Sequence, residues 1–447
     1  MTAREKRIRF ATNLVIGVIL VFVMQASVVQ QNSLVVHARD AIVNWQMARL
    51  AAARPASPLI LIDIDRQAAQ AWRAQEITPR DKLARLIAFA AANRPKAIVV
   101  DIDLRERSPG SGDSQLVRFV GAYNRGVGCA PACAPLIFAR PIRTLDGVFV
   151  SSRANVTASQ ALPTLLDPAI ATTPENPWNL HGNVRFGTVE TDSTDATTRS
   201  WRLWETTCRG PGPGTAIPSA PLLVLAGNDA TALQRERSAI APLARACSST
   251  PGKTETALAR TSIDLRNPFD ARPVHVELTE EAFERRFFMR IGWRGNGEAA
   301  DVPEIGAEAI AAGRAENARG LFADKIVFIG STFGNDYHYT PLGRIPGVVI
   351  QMNELNSLLA GDSLREPSPV THYALEIALV VCLSALLATL ATGWALALTA
   401  TLIALAAITL GLAAFNLGIF VDSIVPLAGI FLHEIAHRAY HGVKESL

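Results

Sequence analysis

The sequence predicts an α/β domain with a mainly parallel central sheet flanked by helices, plus four transmembrane α-helices, one before the domain and three after it. Short continuous apolar runs that alternate with helical patterns predict the sheet, because parallel strands are buried on both faces. Apolar segments near the roughly twenty residues that cross a bilayer predict the spans. A long polar stretch that carries most of the cysteines separates the first span from the others.

The first apolar segment, residues 10–29, is predicted to be a retained transmembrane helix. Four basic residues lie in the preceding segment, residues 1–9, and place that short N-terminus in the cytoplasm. A signal peptide has a similar pattern, but no clear small-x-small cleavage site follows this segment. Residues 33–53 continue in a helical pattern, which predicts a stiff connection between the membrane and the outer domain.

The other predicted spans lie within residues 372–437, before a cytoplasmic tail at 438–447. Their bounds are 373–392, 394–415 and about 419–436. An odd number of spans after the outer domain returns the C-terminus to the cytoplasm, and Arg438 and Lys444 agree with the positive-inside rule. We therefore expect a multi-pass protein of a bacterial inner (plasma) membrane, with residues 30–371 on the periplasmic or extracellular side.

Residues 30–371 are predicted to contain alternating strands and helices. The predicted strands are 59–65, 97–103, 136–139, 184–188, 287–292 and 325–330. The predicted helices are 79–93, 114–123, 307–319 and 348–359. The stretch from about 208 to 274, which is rich in Gly, Pro, Ala and Arg, is predicted to be an irregular insertion with a helix beginning at Leu222.

Composition and cysteine usage limit the classes of function. A net charge of +3 is too small to indicate nucleic-acid binding. Four of the 5 cysteines fall in the outer domain, and an even number in an oxidising compartment predicts two disulfides, Cys129–Cys133 and Cys208–Cys247. No His or second Cys pair accompanies Cys129 and Cys133, so we predict no metal site there and no cofactor.

Acidic residues end two of the predicted buried strands, which we expect to be adjacent. They are Asp63, Asp65, Asp101 and Asp103. Ligands of open α/β sheets bind at the carboxyl ends of the strands, and clustered carboxylates hold hard cations such as Ca²⁺ or Mg²⁺. Alternatively, these acids cap neighbouring helices and loops, or pair with Arg80, Arg105 or Arg199. Both interpretations remain open from the sequence.

A glycine-bounded loop, residues 330–334, follows the predicted strand at 325–330. Its backbone N–H groups and hydroxyls are suited to an anion or a polar ligand, although the spacing of a phosphate-binding P-loop is absent. A tight turn that positions the next segment explains the pattern equally well. If the sheet order places this loop beside the acidic strand ends, Thr332, Asp336 and His338 will share one crevice with Asp63 and Asp101.

His433, Glu434 and His437 match the pattern H-E-x-x-H, which places two imidazoles on one helix face with a glutamate as general base. This pattern makes a membrane metalloprotease a remote alternative. No third ligand is evident, and His and Glu are also ordinary residues at the end of a membrane helix.

Several segments, in their order along the chain, resemble the CHASE type 2 family of extracellular sensor domains. They are 59–65, 79–80, 96–103, 182–186, 195–199, 289–295, 322–332, 336–341 and 346–364. The segment 195–199 resembles the family's Asp-Gly-x-x-Arg turn, with Ala196 in place of Gly. The resemblance covers about four-fifths of the chain, and one helix before and three after the domain is also the family's layout.

The resemblance implies a non-enzymatic membrane sensor whose periplasmic domain perceives a ligand or a partner. Family members carry a cyclase or kinase after the third helix, whereas this sequence ends at Leu447. We therefore expect the signal to pass to a separately encoded cytoplasmic or membrane partner. A structural or scaffold subunit of a membrane complex is the alternative function, and association into a homo-oligomer also remains open.

Overall fold

The structure of this chain is a computed structural model. It describes residues 3–24, 33–50, 58–73, 77–108, 111–129, 132–150, 157–174, 176, 178–192, 197–198, 200–250, 260–270, 272–279, 287–293, 302–334, 336–361, 368–389, 401, 405 and 408–420. Contacts divide the chain into two compact units. Residues 51–363 form one unit, and residues 1–50 with 364–447 form the other.

The elements, numbered along the chain, comprise strands and helices. The strands are β1 (Leu59–Ile64), β2 (Ala97–Asp101), β3 (Leu136–Ala139), β4 (Ile142–Val150), β5 (Thr157–Ala161), β6 (Val184–Gly187), β7 (Thr191–Asp192), β8 (Ser200–Trp201), β9 (Trp204–Thr207), β10 (Gly212–Pro213), β11 (Thr215–Pro218), β12 (Ala246–Ser248), β13 (Arg260–Arg266), β14 (Pro273–Thr279), β15 (Glu304–Gly306), β16 (Ile326–Ser331), β17 (Tyr337–Thr340) and β18 (Gly343–Pro346). The α-helices are α1 (Ala3–Met24), α2 (Ser33–Leu50), α3 (Arg66–Ala71), α4 (Arg80–Ala92), α5 (Gly112–Asn124), α6 (Asp167–Ile170), α7 (Ala220–Ala226), α8 (Ala230–Ile240), α9 (Ala307–Ala311), α10 (Gly347–Ala360) and α11 (Pro369–Thr389).

A six-stranded parallel sheet lies at the centre of the 51–363 unit, in the order β15-β1-β16-β2-β3-β6. Every residue of β1 is buried, and successive residues point to opposite faces. Leu59 and Leu61 therefore belong to one hydrophobic core, and Ile60 and Ile62 belong to a second one. Burial on both faces explains why the strands appear as continuous apolar runs, and the predicted parallel sheet is confirmed.

Helices contribute apolar side chains to both hydrophobic cores. Leu83 of α4 and Leu116 of α5 pack in the core that contains Ile60. Leu222 of α7 and Val348 of α10 pack in the core that contains Leu59. The helix predicted at 307–319 is shorter than expected, because α9 stops at Ala311 and a separate 3-10 helix, Glu316–Leu321, follows it.

The structure contains a second sheet that was not predicted from the sequence. It contains six strands in the order β10-β12-β4-β5-β9-β11, mostly antiparallel. The insertion at about 208–274 was predicted to be irregular around one helix, yet it contributes β10, β11, β12 and β13, together with α7 and α8. β10, β11 and β12 have only 2, 4 and 3 residues, so no alternating pattern was visible in them. β13 has 7 residues, pairs with β14 in a separate two-stranded sheet, and was also not predicted.

Both predicted cysteine pairs are bonded in the structure. Cys129 and Cys133 have Cα atoms 4.9 Å apart, and Cys208 and Cys247 have Cα atoms 6.2 Å apart. Cys208 directly follows β9, and Cys247 lies in β12. The second disulfide therefore ties two strands of the second sheet across a sequence separation of 39 residues.

Replacing both Cys208 and Cys247 with alanine is expected to lower the free energy of unfolding by about 2–4 kcal/mol, because the open chain regains the entropy of a long loop. Urea denaturation of the full chain measures the loss. The matched control removes Cys129 and Cys133, whose separation is only 4 residues. A larger loss for that control than for Cys208–Cys247 would contradict the loop-entropy explanation.

The other unit contains α1, α2 and α11, and the rings of Phe22 and Tyr373 lie 5.6 Å apart between α1 and α11. No helix in the described parts of the chain meets the combined length and hydropathy needed to cross a membrane. The four predicted spans are therefore not supported by these helices. Residues 25–29, 51–53, 390–400 and 421–447, which complete several predicted segments, lie outside the described residues.

Candidate functional site

The order of the strands differs from the prediction at one decisive point. β1 and β2 were expected to be adjacent, but β16 lies between them and pairs with both. In the register, Gly330 is opposite Asp63 on one side and opposite Asp101 on the other. The loop that follows β16 therefore leaves the sheet between the two acidic strand ends, as the conditional prediction required.

Asp63 holds this loop through both carboxylate oxygens. The backbone N–H and the hydroxyl of Thr332 donate to Oδ1 and Oδ2 at 3.1 and 2.6 Å. Asp63 is almost fully buried. Burial raises the pKa of Asp63 to about 8, against the lowering influence of the Thr332 hydroxyl. The contact fixes the path of the chain from β16 toward the hairpin formed by β17 and β18.

Asp65 and Asp103 follow the capping alternative. Asp65 is the N-cap of α3, and its Oδ1 accepts from the backbone N–H of Ala68 at 2.7 Å. Asp103 lies beyond the end of β2 and accepts from the backbone N–H of Arg105 at 2.9 Å and from its Nε at 2.7 Å. Neither carboxylate contacts Asp63 or Asp101 through a hydrogen bond, since both groups already serve local turns.

Asp101 lies in a second group of charged residues, named here the edge cluster: Asp101, Glu190, Asp336 and His338. His338 Nε2 is 3.0 Å from Asp336 Oδ1. Burial and the carboxylate of Asp336 raise the pKa of Asp101 to about 7, whereas His338 lowers it. The hydrogen bond to Asp336 raises the pKa of His338, and Asp101 and Glu190 add to this effect.

The edge cluster is positioned by α10. The backbone N–H of Gly347 donates to the carbonyl of Asp336 at 3.0 Å. A Cβ at Gly347 would overlap the Asp336 carboxylate, so only glycine lets this acid lie against the first turn of the helix. Gln351 of the same helix donates from Nε2 to the carbonyl of Val189 at 2.8 Å, which holds the segment that carries Glu190.

Glu354 lies one turn further along α10 and is almost fully buried. Its Oε1 has no hydrogen-bond partner within the described residues. Burial raises its pKa well above the usual range, and the charge of Asp101 adds to that shift. A neutral carboxyl is therefore the form that this environment favours.

The contribution of Asp101 to the stability of the 51–363 unit is expected to fall between about pH 4 and about pH 7. Asp101 has an unfolded-state pKa of about 3.9 and a folded-state pKa of about 7, so the native state binds more protons across this interval. Stability is fully present below the lower value and is lost as the pH rises through the upper one. Glu354, Glu190 and His338, with raised pKa values, add slopes of the same sign.

Thermal unfolding at a series of pH values measures this slope. In Asp101→Asn the decrease should be smaller, since asparagine cannot ionise. Asp103→Asn is the matched control and should retain the slope of the unchanged chain. An equal slope in Asp101→Asn and the unchanged chain would show that Asp101 does not titrate in this range.

A cavity of about 320 Å³ opens beside the edge cluster, lined by β4, β5, β9 and the segment that carries Glu190. Glu205 Oε1 accepts from Ser159 at 2.7 Å, and Glu205 Oε2 accepts from Arg202 at 2.8 Å. Burial raises the pKa of Glu190 and the charge of Glu205 adds to this effect, whereas the charges of Arg202 and His338 lower it. None of these residues was predicted from the sequence, because Ser159 and Glu205 lie in strands of the unpredicted second sheet and Glu190 and Arg202 lie in connecting segments beside it.

A metal centre has no support in the described part of the chain. No group of three His, Cys, Asp or Glu residues there is arranged to hold a metal ion. The geometry of the described residues therefore does not support a Ca²⁺ or Mg²⁺ site at the four aspartates. His433, Glu434 and His437 lie outside the described residues, so the protease pattern is untested.

Comparison with known proteins identifies the family. The model of the CHASE2 domain matches residues 15–390 of the 447-residue chain. This chain belongs to the CHASE2 domain family. Neither the curated proteins nor the solved structures yield a significant match. CHASE2 domains are sensory domains that are generally extracellular, which is consistent with a sensor role.

The segments that carry the CHASE2 resemblance contact one another. Asn353 of α10 accepts at Oδ1 from the backbone N–H groups of Arg290 and Ile291, at 2.7 and 2.8 Å. Its Nδ2 donates to the carbonyl of Ile291 at 2.9 Å. Residues 287–292 were predicted to form a strand, but no strand forms, because this side chain takes the place of a strand partner.

A second contact joins the segment 195–199 to the β17–β18 hairpin. The backbone N–H of Thr198 donates to the carbonyl of Tyr339 at 2.7 Å. Asp195, Ala196 and Arg199 lie outside the described residues, so the predicted pairing of Arg199 with the strand-end acids is untested. The described contact places this CHASE2 segment against the hairpin that carries Asp336 and His338.

Proposed function

We propose that this CHASE2 protein is a non-enzymatic receptor that binds a small ligand outside the cytoplasm and passes the event to a partner protein. The family match over residues 15–390 carries this proposal, because the family is sensory. Anchoring in the inner membrane, with both termini cytoplasmic, belongs to the same proposal. The two disulfides support an oxidising compartment for the ligand-binding unit.

The proposed ligand-responsive region is the edge cluster with its supports, Asp63 and Thr332. Parallel α/β sheets bind ligands at this edge. Asp101, Asp336 and His338 approach one another from two different elements, and Asp63 fixes the loop between them. A ligand that contacts this group would alter the charge balance that holds the hairpin β17–β18 against the first turn of α10.

Signalling then requires that the ligand bind one arrangement of these elements more tightly than another, because a ligand with equal affinity for both shifts nothing. The hairpin is suited to such a change. Its ties to the rest of the unit include a backbone bond to Thr198, the Tyr337 hydroxyl bond to the carbonyl of Thr332 at 2.8 Å, and the Gly347 bond to Asp336. Hydrogen bonds of this kind contribute about 1 kcal/mol each, so modest binding energy could change their balance.

Cross-linking of the full chain in native membranes tests this function. The yield of cross-links to partner proteins would be compared before and after small molecules are removed by washing, and after the small-molecule fraction of the cells is restored. A receptor predicts a yield that changes on washing and recovers on restoration. A stoichiometric partner whose cross-link yield does not depend on small molecules would overturn the receptor hypothesis and favour the scaffold alternative.

A further inference from the structure

The cavity beside the edge cluster has the size and polarity of a ligand site. Its volume of about 320 Å³ lies at the lower end of the range for small-molecule pockets, roughly 300–1,000 Å³. Leu203 and Trp204 contribute apolar wall, and Thr144 and Ser159 contribute hydroxyls. A compact polar molecule with a modest apolar part therefore fits this space.

One pair of charges in the lining is already neutralised. Glu205 accepts a hydrogen bond from Arg202 on one carboxylate oxygen and from Ser159 on the other. Side chains satisfied in this way fix the shape of the wall and leave less capacity for a ligand. The other charged side chains of the lining are Arg143 and Glu190, and the charge of Arg202 also acts on Glu190.

Glu190 is partly buried and has no hydrogen-bond partner among the described residues. Arg143 is exposed and donates from Nε to Gln160 Oε1 at 2.9 Å, while its terminal nitrogens have no partner in the described part of the chain. The lining thus presents one available acceptor for a cation and one available donor group for a carboxylate. A guanidinium binds a carboxylate with charge-assisted hydrogen bonds.

We propose that this cavity binds a small zwitterion of the α-amino-acid class, with the ammonium group on Glu190 and the carboxylate on Arg143. The proposal rests on the receptor function proposed above and names its ligand class. Glu190 also interacts with His338 and Asp101 of the edge cluster. An ammonium on Glu190 would therefore act on the charge balance at the sheet edge, which connects occupancy of the cavity to the hairpin.

Binding of the proteinogenic L-amino acids to the purified full chain, measured singly by isothermal titration calorimetry, tests the ligand class. At least one amino acid is expected to bind, and its methyl ester and its des-amino analogue should bind at least about tenfold more weakly, since each lacks one charge. Affinity should rise with pH as Glu190 ionises, because its raised pKa must be overcome. No binding by any amino acid, or equal binding of both analogues, would overturn the proposal.

Glu190→Gln and Arg143→Gln test the site. Each should weaken binding by about tenfold or more, and Glu190→Gln should also remove the pH dependence. Asp146→Asn, an exposed acid on the same strand as Arg143, and Arg118→Gln, an exposed base on α5, are the matched controls and should bind normally. Circular dichroism verifies that each variant is folded. Normal binding by both cavity variants would place the amino acid elsewhere and overturn the site.

The cross-linking experiment separates this proposal from the receptor function. If no amino acid binds but the cross-link yield still depends on small molecules, the cavity proposal fails and the receptor stands. If an amino acid binds through Glu190 and the yield does not respond to it or to any washed fraction, the cavity proposal stands and the receptor fails.

Discussion

Replacing Asp167 with alanine is expected to lower the free energy of unfolding of the 51–363 unit by about 3–5 kcal/mol. Both terminal nitrogens of Arg140 donate hydrogen bonds to the carboxylate of Asp167, at 2.9 and 2.8 Å, and form a bidentate ion pair. Both residues are almost fully buried, and the Arg140 guanidinium lies 3.7 Å from the centroid of the Phe186 ring. Removing the carboxylate leaves an uncompensated cation in this apolar environment.

The same carboxylate organises the chain around it. The backbone N–H of Thr164 donates to Oδ2 at 2.7 Å, and the hydroxyl of Thr172 donates to Oδ1 at 3.0 Å. The change to alanine therefore also removes an acceptor for the segments before and after α6. Urea denaturation followed by tryptophan fluorescence measures the loss.

A double-mutant cycle separates the ion pair from packing. Arg140→Met combined with Asp167→Leu should cost less than the sum of the single changes, because no charge is then left alone in the interior. Asp146→Asn on the surface should be near neutral. Additive single effects, or a loss below about 1 kcal/mol for Asp167→Ala, would show that the pair is not needed to hold β3 and α6 together.

Replacing Asn353 with leucine is expected to cost about 2–6 kcal/mol, since the buried N–H of Ile291 and the partly buried N–H of Arg290 lose their acceptor at about 1–3 kcal/mol each. The amide also donates from Nδ2 to the carbonyls of Ile291 and Val349, at 2.9 and 3.0 Å. Three hydrogen bonds of this side chain therefore hold the 287–293 segment against α10, and the fourth, to Val349, lies within the helix. Hydrogen exchange should show earlier opening of that segment.

Asn353→Asp is the informative comparison. It retains acceptors for the N–H groups of Arg290 and Ile291, but it replaces the donating amide and places a carboxylate beside buried Glu354. Its destabilisation should decrease at low pH, where a protonated carboxyl can donate, whereas that of Asn353→Leu should not. Equal losses for both variants at every pH would contradict the role given to the amide.

The sequence predicted five of the six strands of the parallel sheet, because strands such as β1, β2 and β16 are buried on both faces and appear as uninterrupted apolar runs. The sixth strand, β15, has only 3 residues and was not predicted. It did not predict their order. The insertion of β16 between β1 and β2 depends on a pairing more than two hundred residues apart in the chain, which no local pattern encodes. That order meets the condition set for Thr332 and His338, and their shared crevice with Asp63 and Asp101 stays a prediction.

The four aspartates show that alternation along a strand predicts side-chain direction only within that strand. Spacing of two residues predicts a shared face along a strand, but β1 ends at Ile64 and β2 ends at Asp101. Asp65 and Asp103 lie beyond those ends, so a helix cap and a local turn determine where they point. Glu190, Arg202 and Glu205 were not predicted as a group, because their proximity depends on the tertiary packing of a strand and two connecting segments.

Hydrogen exchange of the full chain most directly tests the claim that ligand binding at the sheet edge changes the hairpin. Membranes washed free of small molecules would be compared with membranes to which the cellular small-molecule fraction has been restored. We expect slower exchange in residues 336–346 and 184–192 on restoration, and no such change in Asp101→Asn. Identical exchange in these segments with and without small molecules would contradict it.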